Sequence, residues 1–294
     1  MKFRLIAFAS ILALGALPAA AADWSAVGAA LGKTGTVQAG DVYRVGLPRT
    51  DLKVSLDGVA IKPTLALGSW VAFHDAGGHT MVMGDLVLTQ EEVNPVMSAL
   101  IENGFTITAL HNHLLRASPA TMYMHIDGYG DAVKLATALH AALAKSGTPL
   151  GANPPPAPPA PLDLDQAAVE RALGGFKGTV NGGVLQFNVP RAETPKAGGM
   201  VVPTAMGSAI AINFQPTGGG KAAITGDFVL TADEVNPVIK ALRSNGIEVT
   251  ALHNHMLDDE PRLFFMHFWA NDDAGKLARG LRAALNQVKI GKPG

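Results

Sequence analysis

The sequence predicts an α+β protein of two homologous domains, each with an antiparallel or mixed sheet and helices packed on one face. One internal repeat carries this prediction. The tripeptide His-Asn-His occurs at 111–113 and again at 253–255, 142 positions later, and a third histidine, His125 or His267, follows each copy at the same separation. A period this long indicates a duplicated domain. Two copies in one chain are expected to pack about a pseudo-two-fold axis, as a pseudo-dimer.

The duplication also sets the domain boundaries. The segment 151–161 reads Gly-Ala-Asn-Pro-Pro-Pro-Ala-Pro-Pro-Ala-Pro, a composition typical of an extended, semi-rigid linker. We therefore predict a first repeat over 23–150, a Pro-rich linker over 151–163 and a second repeat over 164–294.

The first 22 residues are typical of a secretory signal peptide. Lys2 and Arg4 precede an apolar run over 5–17, and three alanines at 20–22 form a cleavage site. The run is shorter than the roughly 20 apolar residues that span a bilayer. The sequence predicts a periplasmic or secreted protein with no membrane span.

The elements of the two repeats are expected in the same order. A short helix (25–31 and 166–173) precedes a Gly-rich β region. Strands are predicted over 71–74 and 80–88 in the first repeat, with a break at Gly84, and over 210–214 and 222–230 in the second. In both repeats the pair Gly-Asp lies in the second of these strands, and we interpret Asp85 and Asp227 as structural residues.

A helix follows in each repeat. Thr89-x-x-Glu92 and Thr231-x-x-Glu234 have the form of a capping box. The Asn-Pro pairs at 94–95 and 236–237 leave two interpretations open, with the proline inside the first turns or as the first helical residue. Asn-Gly at 103–104 and 245–246 predicts the helix ends.

Two strands and a helix complete each repeat. Alternation predicts strands over 105–113 and 122–127, with copies over 247–255 and 263–269, and final helices that begin near Asp131 and Asp273. The order β-β-α-β-β-α is that of an α+β domain.

Composition excludes several classes of function. The chain has no cysteine, which rules out disulfides and thiolate metal sites and leaves imidazole, carboxylate and thioether as metal ligands. Its formal net charge is −1 and no basic stripe is present, so nucleic-acid binding has no electrostatic basis.

The histidines predict a transition-metal site. Alternate residues of a strand point to the same face, so the two histidines of each His-Asn-His project together. If the next strand pairs with that strand, the third imidazole can face the first two. The candidate ligands are His111, His113 and His125, and their copies His253, His255 and His267. Duplication leaves open whether these triads act separately or meet near the axis.

Three protein ligands leave a coordination position for water, which suits metal-assisted hydrolysis or hydration. Zinc is the first choice and copper the second, since imidazole binds both. Glu260, which follows the second His-Asn-His, is the candidate catalytic base. Two other functions remain open. One is a metal carrier without catalysis. The other is a module that binds a small molecule or an envelope component, with structural histidines that bond to neighbouring polar groups.

The repeated motifs resemble those of a known family. Glu-Val-Asn-Pro-Val (92–96, 234–238), Thr-Ala-Leu-His-Asn-His (108–113, 250–255) and Met-His (124–125, 266–267) are similar to the LppY/LpqO family of exported bacterial proteins. The resemblance covers both repeats and implies export and duplication. It implies no activity, because that family is known chiefly as a domain of unknown function. The chain departs from the lipoprotein members of the family, because it lacks a cysteine for lipid attachment.

Overall fold

The structure is a computed structural model, and it describes residues 22–75, 79–152 and 161–293. The first repeat contains α1 (Trp24–Leu31), β1 (Thr36–Gln38), β2 (Val42–Pro48), β3 (Ser55–Leu56), β4 (Val59–Ala60), α2 (Pro63–Ala66), β5 (Gly68–Asp75), β6 (Thr80–Thr89), α3 (Gln90–Glu102), β7 (Thr106–His111), β8 (Thr121–Gly130) and α4 (Ala132–Leu143). The predicted signal peptide lies outside the described residues except for its last position.

The second repeat has the same plan. It contains α5 (Gln166–Ala172), β9 (Thr179–Asn181), β10 (Val184–Val189), β11 (Lys196–Ala197), β12 (Met200–Val201), a 3-10 turn (Thr204–Met206), β13 (Ile210–Gly218), β14 (Lys221–Leu230), α6 (Ala232–Ser244), β15 (Glu248–His253), β16 (Asp259–Glu260), β17 (Phe264–Asp273) and α7 (Ala274–Leu285). No helix in the described part of the chain is long and apolar enough to cross a membrane.

Each repeat forms one six-stranded sheet, in the order β1-β2-β5-β6-β8-β7 in the first repeat and β15-β17-β14-β13-β10-β9 in the second. The pairings within both sheets are antiparallel. With seven α-helices in the described residues and two similar halves, the predicted α+β class is confirmed. The strand predicted to break at Gly84 is instead continuous, because Gly84 pairs on both sides, with Val71 and Ile126.

The two faces of each sheet have different partners. In the first repeat Val45, Phe73 and Val82 lie in a core formed with the helices. The opposite face carries Ala72 and Met83, which pack in the core of the second repeat. We call this opposite face the inner face of each sheet, and the functional residues lie on it.

Each repeat also extends a segment across the inner face of the other. We call residues 49–67 the first arm and residues 190–209 the second arm. In the first arm the backbone N–H of Lys62 donates to Gln215 (2.9 Å), and Gln215 donates to the carbonyl of Ala60 (2.8 Å). Gln186 donates to the carbonyl of Thr64 (2.7 Å). In the second arm the carbonyl of Ala205 accepts a hydrogen bond from Arg44. The arms therefore bind the repeats to each other.

A buried arginine fixes the helix that follows β6 and its copy after β14. Arg191 contacts Glu234 (2.7 Å) and donates to the carbonyl of Val229 (2.6 Å); both members of the ion pair are buried. In the first repeat Arg49 contacts Glu92 in the same manner (2.7 Å). The two glutamates belong to the predicted capping boxes, which are present in both helices. This network accounts for the arginine that recurs 142 positions apart, at 49 and 191.

The two Asn-Pro pairs lie inside their helices. α3 and α6 begin after Thr89 and Thr231, so Pro95 and Pro237 are internal residues and the first of the two interpretations is confirmed. Gly104 and Gly246, at the helix ends, have positive φ angles of 83° and 73°, as the Asn-Gly pairs predicted.

Candidate metal centre

Strand pairing places the third histidine of each triad beside a carboxylate. His125 on β8 is the register partner of Asp85 on β6, and His267 on β17 is the partner of Asp227 on β14. Residues opposite each other in a sheet point to the same face. Each carboxylate therefore lies on the inner face with its histidine. The interpretation of Asp85 and Asp227 as structural residues did not anticipate this position.

The His-Asn-His segments lie at the ends of the edge strands β7 and β15. These strands end at His111 and His253, two residues earlier than predicted, so His113 and His255 lie in the loops that follow. Packing holds both loop imidazoles in place. The His113 ring stacks on Tyr123 at 3.4 Å between centroids, and the His255 ring stacks on Phe265 at 3.3 Å.

The structure brings all six histidines together. The ring of His111 stacks on its own copy, His253, with 3.5 Å between centroids. His113 stacks on His267 (3.6 Å), and the equivalent pair is His255 on His125 (3.8 Å). These are the contacts that a two-fold axis through the His111–His253 pair would produce. The two triads meet at this axis and form one cluster, which we call the histidine cluster.

Asp85 and Asp227 complete the histidine cluster. The Nε2 of His113 lies 3.7 Å from Oδ2 of Asp85, and the Nε2 of His255 lies 3.1 Å from Oδ2 of Asp227. Each carboxylate is also near the third histidine of its own repeat, with 4.0 Å to Nε2 of His125 and 3.9 Å to Nε2 of His267. Sequence reasoning missed these two ligand candidates. The available signal was the Gly-Asp pair retained in both repeats.

Backbone carbonyls fix the proton on several imidazoles. The carbonyl of Gly226 lies 2.8 Å from Nδ1 of His267, and that of Asn254 lies 3.0 Å from Nδ1 of His253. The carbonyl of Gly84 is a hydrogen-bond partner of His125. A carbonyl can only accept, so Nδ1 of His267 and of His253 carries the proton and Nε2 carries a lone pair. These two Nε2 atoms are 2.9 Å apart.

Burial keeps the imidazoles neutral. It lowers the pKa of all six, and neighbouring imidazoles lower most of them further. The pKa of His267 falls to about 3 despite the nearby Asp227. Burial also raises the pKa of Asp85 and of Asp227, and the mutual repulsion of the two carboxylates adds to the rise at Asp85. A neutral imidazole is the form that binds a metal ion.

Within the described residues there are four groups of three side chains whose ligand atoms, inside each group, lie within 4.8 Å of one another. Two of them share no residue and come from one repeat each: Asp85 with His113 and His125, and Asp227 with His253 and His255. The other two groups mix the repeats: His111 with His113 and His267, and His111 with His125 and His253. All six histidines predicted as ligands are therefore in geometric groups that suit a metal ion.

Glu260 is not part of the histidine cluster. It is exposed on the short strand β16, where it pairs with Lys196 of the second arm. It is also absent from the residues that line the adjacent cavity.

A cavity of about 730 Å³ lies next to the histidine cluster, between the inner faces and the two arms. Cluster residues form one wall: Asp85, His113, Asp227, His255 and His267. Arg44, Trp70, Asn188 and Asn213 are among the other lining residues. A cavity of this volume can hold a small molecule.

Two solved structures were found that align over most of the chain at low similarity. The crystal structure of a trimeric bacterial microcompartment shell protein, PduB, is 12% identical, with 87% of this chain and 90% of that chain covered and a TM-score of 0.22. EtuB from Clostridium kluyveri is 10% identical, with coverage of 88% and 96% and a TM-score of 0.21. Neither likeness carries a functional argument. No curated protein is significantly similar to this chain.

One family model matches both repeats, over residues 25–145 and 167–287. The two matched segments are 142 positions apart, as are the histidines, and together they cover more than half of the chain. The chain therefore belongs to the family described as Domain of Unknown Function (DUF1259), with two tandem copies of the domain.

Proposed function

We propose that the protein binds divalent transition-metal ions at the histidine cluster and uses them for hydrolysis or hydration of a small molecule in the adjacent cavity. Zinc is the first choice and copper the second. One observation carries the proposal. Within the described residues, seven buried nitrogen and oxygen atoms of the cluster have no hydrogen-bond partner: Oδ1 of Asp85 and of Asp227, both ring nitrogens of His111, and Nε2 of His113, His125 and His255.

The energetic cost of such a cluster favours a shared ligand. An unpaired buried polar group costs about 1–3 kcal/mol. Seven such groups would cost about 7–20 kcal/mol, which is comparable to the whole stability of a typical domain. A hydrogen bond between the Nε2 atoms of His253 and His267 would require one imidazole to be a cation, and burial opposes that charge. A metal ion accepts both lone pairs at once.

The ligand set suits two ions. Eight side chains exceed the four to six ligands of one transition-metal ion, and the two groups that share no residue give each ion one carboxylate and two imidazoles. His111 and His267 remain as further ligands. Two-metal hydrolytic sites place their ions about 3.5–4 Å apart. The close stacking of imidazoles from the two repeats, His111 on His253 and His113 on His267, is compatible with such a separation.

The cavity favours catalysis over storage. Ions held by three protein ligands keep a position for water or substrate, and five of the eight cluster residues face the cavity. The second candidate function is a metal carrier. The two groups that combine His111 with histidines of both repeats favour the carrier, because these extra imidazoles could fill the remaining coordination positions of both ions and leave no exchangeable water.

The sequence supports a location for this function. The motifs similar to the LppY/LpqO family and the signal-like residues 1–22 lead us to propose export to the periplasm or the medium.

Metal analysis of the full chain, purified without an affinity tag, tests the proposal. We expect about two ions per chain. The triple variant His111→Ala, His113→Ala, His125→Ala and its copy at 253, 255 and 267 should each lose metal, because the cluster is shared. The chain has nine histidines, so a triple variant of the other three, His74, His79 and His140, is a matched control that should retain metal.

The outcomes separate the candidate functions. Absence of metal, together with no binding of zinc or copper to the metal-free protein, would overturn the proposal and favour a binding module with structural histidines. Metal that supports hydrolysis of chromogenic ester or phosphoester substrates would favour the enzyme. Stoichiometric metal that passes to a chelator or acceptor protein without any hydrolysis would favour the carrier.

A further inference from the structure

Arg44 lies in the cavity beside the histidine cluster. Its guanidinium carbon is 3.9 Å from the centroid of the Trp70 ring, and one of its nitrogens donates to the carbonyl of Ala205 in the second arm. Among the residues that the structure describes, no carboxylate forms an ion pair with Arg44 within 4.0 Å. The guanidinium is thus held on one side and faces the cavity without a salt-bridge partner.

Arg44 is half-buried, and the partial loss of water makes its charge expensive. The pKa of Arg44 is lowered to about 10, mainly by burial and against the favourable field of Asp85. A buried cation is retained when something compensates its charge. Asp85 is one candidate, but it lies beyond ion-pair distance.

The second repeat provides an internal comparison. Gln186 occupies the position that corresponds to Arg44, 142 residues later, and it also donates to a carbonyl of the opposite arm, that of Thr64 (2.7 Å). A neutral side chain therefore suffices to hold an arm. Asp227, the copy of Asp85, has no arginine at the corresponding position, so a carboxylate of the cluster does not require one. The positive charge of Arg44 is therefore needed neither to hold the arm nor to compensate a carboxylate of the cluster.

We propose that Arg44 is an anion-binding residue and that the cavity takes a small molecule with an oxyanion group, a carboxylate or a phosphate. Arginine presents a planar fork of donors that matches such groups. The Trp70 ring holds the plane of the guanidinium, and Asn188 and Asn213 supply polar groups along the same cavity. That the rest of the bound molecule extends toward the histidine cluster is an inference that rests on the proposed function. The anion site itself does not.

Anion binding to the full chain tests the proposal, with inorganic phosphate and benzoate as probes. Binding is measured by calorimetry on metal-free and on metal-loaded protein. The variant Arg44→Gln gives position 44 the residue of the second repeat. We expect it to weaken binding of at least one probe by tenfold or more in the metal-free protein and to leave metal content unchanged. Arg116→Gln, which removes an exposed arginine, is the matched control and should bind like the unmodified chain.

A labelling experiment does not depend on a folded variant. Phenylglyoxal modifies accessible arginines, and peptide mass spectrometry measures its rate at each site. Phosphate or benzoate should slow modification of Arg44 and leave Arg116 unaffected.

The results are decisive in either direction. Equal affinity in Arg44→Gln and the unmodified chain, no probe binding at all, or unprotected labelling of Arg44 would each overturn the proposal. If the protein binds no metal but still binds a probe in a manner that depends on Arg44, the anion site is supported and only the metal centre is refuted. A response to phosphate but not benzoate would identify a phosphorylated ligand, and the reverse result a carboxylate.

Discussion

Acid should unfold the metal-free protein at an unusually high pH, because the histidine cluster is buried and neutral. An unfolded histidine has an ordinary pKa of 6.5, whereas folding lowers the pKa of all six cluster imidazoles, that of His267 to about 3. Below pH 6.5 the unfolded chain therefore binds protons that the folded chain does not. Stability falls as the pH falls, and it is independent of these groups above pH 6.5.

The carboxylates of the cluster act in the opposite sense. Folding raises the pKa of Asp85 and Asp227, so the folded state binds these two protons first as the pH falls. The two carboxylates can offset at most two of the six imidazole protons, so the net difference reaches at least about four protons once the unfolded histidines are protonated. Each proton changes stability by about 1.4 kcal/mol per pH unit, which gives a slope of about 5 kcal/mol per unit. A decrease from pH 6.5 to 5.5 would then remove an amount comparable to the stability of a small domain.

Urea unfolding of chelator-treated protein, followed by tryptophan fluorescence between pH 7.5 and 5.5, measures this slope. The variant His79→Gln, which changes an exposed histidine, should leave it unaltered. Bound zinc should shift the steep region to lower pH, because the ions compete with protons for the same lone pairs. A free energy of unfolding that is constant across this pH range would refute the reasoning, since the cluster would then be hydrated or already protonated.

Three further predictions concern single residues. Arg191→Met should destabilise the protein by about 3–5 kcal/mol in urea unfolding, because it leaves Glu234 buried without its partner, and the added change Glu234→Leu should recover part of the loss. Gly226→Ala should destabilise the protein by about 1–3 kcal/mol, because its Cβ would overlap the backbone carbonyl oxygen of Ala211 on β13; a melting temperature equal to that of the unmodified chain would contradict the packing. Asp227→Asn should reduce metal content, whereas Glu260→Gln should not, and a reversed result would return Glu260 to the site.

Local signals predicted most elements of this fold, but the strands β1, β2, β9 and β10 lie in the region that was predicted only as Gly-rich and β, without bounds. The capping boxes, the Asn-Gly helix ends and the repeated strands were all recognisable, because each depends on residues close together in the sequence. The predicted break at Gly84 was wrong, since a glycine can also serve as a site of close approach within a strand. A Cβ at this position would lie 2.9 Å from the carbonyl oxygen of Trp70.

The candidate site was predictable only in part. The six histidines were identified from their repetition, but their union into one cluster depends on how the two sheets face each other, which no local pattern encodes. Asp85 and Asp227 were visible as repeated residues, yet their role depends on strand register. Arg44 had no signal at all, because the comparison of repeats selects residues that match, and Gln186 does not match it.

The exchange of arms has a consequence for how such a protein can diversify. A single-repeat ancestor that built the same cluster as a homodimer would carry every substitution twice, once on each side of the axis. Fusion into one gene lets the two repeats mutate independently, so that one repeat can change its sequence while the other preserves the shared ligands. Two differences of this kind lie at equivalent positions of the repeats: Arg44 corresponds to Gln186, and Tyr123 corresponds to Phe265. Asymmetry at the cavity wall is thus available to this chain and forbidden to any homodimer of one repeat.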